Sequence, residues 1–128
     1  MAGTSSAASP LPFDRFWKWL QDHPNCVIRM GGMEAMLFDH EDFHWDFFED
    51  EEEGHAVAQL LKGKHLVAEM LLPRRDIVMV QSSLDLDNPQ SGHWVFELMG
   101  TDAESGQGMY QVVMAHGFEQ PGHMDLKH

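Results

Sequence analysis

Short apolar runs joined by brief turn sequences constrain this chain most. A parallel neighbour needs a crossover of about a dozen residues or more, so strands that follow one another by short turns pair antiparallel. Residues 26–30 and 33–38 are apolar runs on either side of Gly31-Gly32, and two glycines between such runs predict a hairpin turn with φ > 0. Phe43, Trp45 and Phe47 then alternate with His44, Asp46 and Phe48, which makes a third strand and a meander. Leu66, Ala68, Met70 and Leu72 share one face of a further strand, and residues 77–80 are rich in β-branched side chains. Trp94, Phe96 and Leu98 alternate with Val95 and Glu97, and Tyr110 to Ala115 reads as a last strand.

Two segments read as helix. Phe13, Phe16, Trp17 and Leu20 recur at i, i+3, i+4 and i+7 between Pro12 and Pro24, which predicts an amphipathic helix over 13–22. Trp19 falls on the flank of that stripe, as a rim residue and a candidate for partner contact. The run Glu49 to Glu53 suits the first turn of a helix, and Val57, Leu60 and Leu61 supply a stripe before Gly63, which predicts a short second helix over 52–62. The expected fold is therefore α+β: an N-terminal amphipathic helix, an antiparallel meander, a short second helix and further antiparallel strands. Residues 1–11 are expected as a disordered tail, 12–116 as the single domain and 117–128 as a loose C-terminal segment.

A domain of this length buries roughly two-thirds of its unfolded surface, and eight Phe and four Trp are ample material for its core. A single cysteine, Cys26, rules out an internal disulfide or a thiolate zinc finger and reads as a small core residue in a reducing cytoplasm. No secretory leader is visible, and no run reaches the about 18 apolar residues of a membrane span. The expected localisation is cytoplasmic, with no membrane contact.

Charge narrows the partners. The formal net charge is -13, which makes direct nucleic-acid binding unfavourable. Between Arg29 and Lys62 there is no Lys or Arg, whereas Glu34, Asp39, Glu41, Asp42, Asp46, Glu49, Asp50, Glu51, Glu52 and Glu53 all fall there. Within this stretch His40, Glu41 and His44 satisfy H-E-x-x-H, a pattern that resembles the zincin metalloproteases over five residues. On a helix the two imidazoles would share one zinc, with Glu41 as the base. Against that reading, Asp42 replaces the usual apolar residue, no third ligand follows at a recognisable spacing, and the surrounding alternation prefers strand. Asp85, Asp87 and Asn88 open like a calcium loop, but Gln90 occupies the position that needs glycine. The serines lack a nucleophile elbow, and the glycine-rich 100–108 segment has no lysine to meet a phosphate.

With no complete catalytic set, the residues point to a non-enzymatic, acidic protein-binding module without a cofactor. The alternative is the zinc-dependent hydrolase just described. The order helix, three-stranded meander, short helix and further strands over residues 13–82, with small size and acidic charge, resembles type III secretion chaperones. That resemblance implies a homodimer holding an effector segment in extended form, and it carries no residue assignments. An inhibitor or immunity-type protein whose acids mimic phosphates is the other binding mode. In either case the expected partner is a basic protein, met by Trp19 and by the acids from Asp39 to Glu53. Ten methionines read mainly as core filling, the remainder as an exposed apolar sheet face.

Overall fold

The computed structural model describes residues 10–100 and 108–118. Its elements are β1 (Leu11–Pro12), α1 (Phe13–Gln21), β2 (Val27–Gly32), β3 (Met36–Phe38), β4 (His44–Asp50), β5 (His55–Lys62), β6 (His65–Pro73), β7 (Ile77–Leu84), β8 (Trp94–Gly100) and β9 (Tyr110–Met114). The architecture is α+β and strand-rich, with one α-helix among the described residues. Strands in the order β1-β7-β8-β9-β2-β3 form one antiparallel sheet, and β4-β5-β6 form a second. No helix among the described residues is long and apolar enough to cross a membrane.

Helix α1 matches the expected segment. Pro12 precedes it in extended conformation, Asp14 and Lys18 complement its dipole, and Asp22 N–H closes onto Trp19 O at 3.1 Å before Pro24 prevents continuation. Nine residues are too few for a stable isolated helix, so packing must hold it. Adjacent residues face different sheets: the Phe16 ring lies 5.0 Å from Phe96 of β8, and Trp17 meets Phe47 of β4 edge-on at 5.5 Å. Both Phe16 and Trp17 are fully buried. The helix thus ties the two sheets into one core.

In the three-stranded sheet the register sets the inward rows. Phe47 opposes Ala58, which opposes Met70, and Trp45 opposes Leu60, which opposes Ala68. Ala58 leaves room for the Phe47 ring beside it, and in the Trp45 row the small residue is Ala68 of β6. Ala56, Ala58 and Leu60 are all buried.

Four expectations need correction. The second helix expected over 52–62 is strand β5: residues 51–54 form a turn in which Gly54 adopts φ 76°, its N–H donates to Asp50 O at 2.9 Å, and Glu53 N–H donates to Asp50 Oδ1 at 3.3 Å. Asp50 therefore closes this turn through its backbone and side-chain oxygens, and the element order behind the secretion-chaperone resemblance departs at β5. Gly31 and Gly32 lie within β2 and have no positive φ; the turn is at 33–35, closed by Gly32 N–H to Ala35 O at 2.9 Å. The meander also stops at β3, because the 39–43 loop carries the chain away and β4 opens the second sheet. Finally, Leu11 belongs to the domain, not the tail: it is buried and pairs with Val80. The rest of the expected tail up to residue 9, most of the glycine-rich segment and residues 119–128 lie outside the described residues.

Candidate functional site

Strand β4 alternates strictly: Trp45 and Phe47 turn into the core, whereas His44, Asp46 and Phe48 face outward. This alternation sorts the acids. Asp39, Glu41 and Asp42 are exposed in the loop before β4, Asp46 is exposed midway, and Glu51, Glu52 and Glu53 are exposed in the turn after it. Seven residues of strand span about 23 Å at about 3.3 Å per residue, so carboxylates cluster at both ends of β4. Glu49 and Asp50 are half-buried. Arg74 bridges Glu49 (Nη1–Oε1 2.9 Å) and Asp14 (Nε–Oδ1 3.1 Å), which pins α1 against β4. The bond to Asp14 is the main cause of a raised Arg74 pKa, partly opposed by burial and reinforced by Glu49.

The H-E-x-x-H residues do not lie on a helix. His40 and Glu41 are in the loop, and His44 is the first residue of β4, opposite Leu61. The His40 ring rests 5.2 Å from Phe43, and its Nδ1 accepts the Asp42 N–H at 3.1 Å. The one-turn spacing that would aim both imidazoles at one ion is absent here. No group of three or more His, Cys, Asp and Glu suited to a metal occurs among the described residues.

Trp19 is buried and not a rim residue. Its ring packs with Phe96 at 5.5 Å, His23 at 5.0 Å, His116 at 5.7 Å and Phe118 at 5.2 Å. Phe118 belongs to the segment expected to be loose. Beside this cluster, Cys26 Sγ lies 3.1 Å from His116 Nε2, while His116 Nδ1 lies 3.0 Å from Gly117 O. The two partners are 90 positions apart, so sequence spacing offered no hint of the pair. Asp85, the other acid singled out in a loop, is buried and accepts the Asp87 N–H at 3.1 Å, shaping a turn.

A feature with no signature in the sequence is a groove of about 460 Å³ between the β2–β3 tip and strand β6. Gly32, Met33, Glu34 and Ala35 form one wall, Glu69, Met70 and Leu71 the other, and Met109 and Tyr110 also line it. A smaller hollow of about 180 Å³ adjoins it around the same tip and adds Met36 and Glu97. The methionines therefore divide by role: Met30, Met99 and Met114 fill the core, whereas Met33, Met36, Met70 and Met109 line these hollows.

Tyr110 reports on this groove. Burial raises its phenol above the ordinary value, and the carboxylates of Glu34 and Asp76 raise it further. It is the chain's only tyrosine, so phenolate absorbance at alkaline pH reads it directly. We expect a midpoint above that of free tyrosine, falling in Glu34→Gln; an ordinary midpoint in both proteins would contradict the burial. The folded chain holds this proton more tightly than the unfolded one. Its contribution to stability is thus complete below the unfolded pKa and lost as pH rises through the folded one.

Compared with models of protein families, with curated proteins and with solved structures, the chain matches none.

Proposed function

We propose that this chain is a non-enzymatic, acidic module that binds a basic protein. The observation that carries this reading is the placement of carboxylates at both ends of β4, facing solvent while Trp45 and Phe47 of the strand hold the core. Acids that stabilised the fold would be paired internally. Of this set, Glu49 is the member bridged to an arginine among the described residues, Asp50 accepts the Glu53 N–H at 3.3 Å, and His40 lies 3.9 Å from Asp42. The remaining negative potential steers a cationic surface toward β4 and repels anionic ones.

The test compares the protein with a variant in which Asp39, Glu41, Asp42, Glu51, Glu52 and Glu53 become their amides. Each protein is immobilised, exposed to a lysate at low salt and eluted at about 1 M salt, where the screening length is about 3 Å. A basic protein is expected in the salt eluate of the unaltered chain and absent from that of the variant. His44→Ala should retain it. Equal recovery on both surfaces, or retention that salt does not disturb, would refute the proposal.

A further inference from the structure

We infer that the groove between β6 and the β2–β3 tip binds an extended peptide segment whose side chains alternate apolar and basic, added as a strand to the free edge of β6. This rests on the protein-binding reading above and assigns it a second, separate surface.

Three observations converge on this occupant. First, β6 ends its sheet and pairs only with β5 among the described residues, so one edge of a nine-residue strand presents backbone donors and acceptors outward. Second, the groove runs along that edge. Successive residues of a strand point to opposite faces, yet Glu69, Met70 and Leu71 all line the groove, which places the β6 backbone itself at its wall. A volume of about 460 Å³ lies within the range of ligand-holding clefts, about 300–1,000 Å³.

Third, the two faces an added strand would meet differ in chemistry. Inward-facing side chains would meet Met70, Met109 and Tyr110, an adaptable apolar floor. Outward-facing side chains would extend the cross-strand row Asp46–Gln59–Glu69, in which Gln59 Nε2 donates to Glu69 Oε2 at 2.7 Å. Opposite charges side by side across strands are favourable and like charges are not, so this row selects Lys or Arg. The facing wall carries Glu34, and no Lys or Arg is among the described lining residues. Main-chain pairing gives such a site its affinity, and the alternate side chains give it specificity.

The probe is a fluorescein-labelled peptide of alternating valine and lysine, followed by anisotropy at about 0.15 M salt, where charges are screened beyond about 8 Å. Controls are the same peptide N-methylated at alternate residues and a valine–glutamate counterpart. Saturable one-to-one binding is expected for the lysine peptide, with at least a tenfold loss on N-methylation and no binding of the glutamate peptide. Glu34→Lys combined with Glu69→Lys changes two exposed side chains and should also weaken binding at least tenfold. The six-amide variant of the β4 acids should hold the peptide within about threefold, so failure of this proposal and failure of the β4 reading are separable. Equal affinity for the N-methylated or glutamate peptide would overturn the inference, as would insensitivity to the two lysine substitutions. Absence of binding would overturn it too; light scattering then tells whether a second copy covers β6 or the chain's own segments close the groove.

Discussion

Trp17→Ala is expected to remove about 3–5 kcal/mol of stability, the usual cost of truncating a fully buried aromatic side chain, and urea denaturation measures it directly. The indole has no solvent exposure, stacks on Phe13 at 5.5 Å and meets Phe47 of β4 edge-on. Its loss removes contacts on one sheet from a helix of nine residues that packing alone sustains. Since small domains hold about 5–15 kcal/mol in total, the variant should sit near its unfolding transition and lose helical signal first. Trp17→Phe should cost far less: it keeps a ring in the slot and removes an indole N–H that makes no hydrogen bond with any described residue. A loss below about 1 kcal/mol for the alanine variant would mean that the helix does not tie the sheets together.

What the sequence revealed and concealed follows from the range of each interaction. Helix α1 was legible because four apolar residues at helical spacing stand between two prolines, a local pattern with local stops. The cores of β4, β6 and β8 were legible for the same reason, since alternation is encoded within the strand, whereas β9 carries a short run of consecutive apolar residues after a glycine-rich segment. β5 was not: Ala56 and Ala58 are weak apolar markers, and the preceding acids imitate the start of a helix. Only the pairing of β5 with β4 and β6 on both sides makes it a strand, and pairing is non-local. The break between β3 and β4, the burial of Trp19 beneath Phe118, and the Cys26–His116 contact are non-local in the same sense. The acids at the β4 ends were visible by composition, whereas the groove needed three segments of chain brought together, 32–35, 69–71 and 109–110.

The Gly31-Gly32 pair offers the sharpest test of that distinction. A turn built on positive φ would penalise alanine at both positions, because both would occupy the left-handed region. In the fold neither glycine has positive φ. At Gly31 an added Cβ would collide with Ala35 O and come within 2.6 Å of Met36 Cα, both backbone atoms that the closed hairpin cannot move aside. At Gly32 the nearest atoms are Met109 O and the Tyr110 ring, at 3.1 Å or more, and a shift of a few tenths of an ångström relieves them. Gly31→Ala is therefore expected to cost about 2–3 kcal/mol, the upper part of the usual penalty for overpacking, and Gly32→Ala less than about 1 kcal/mol. Because the first change spreads the tip that carries Met33 and Glu34, it should also lower the Tyr110 titration midpoint and weaken peptide binding in the groove. Similar costs at the two positions would show that backbone freedom at a turn, rather than close approach of β2 and β3, is what the glycines supply.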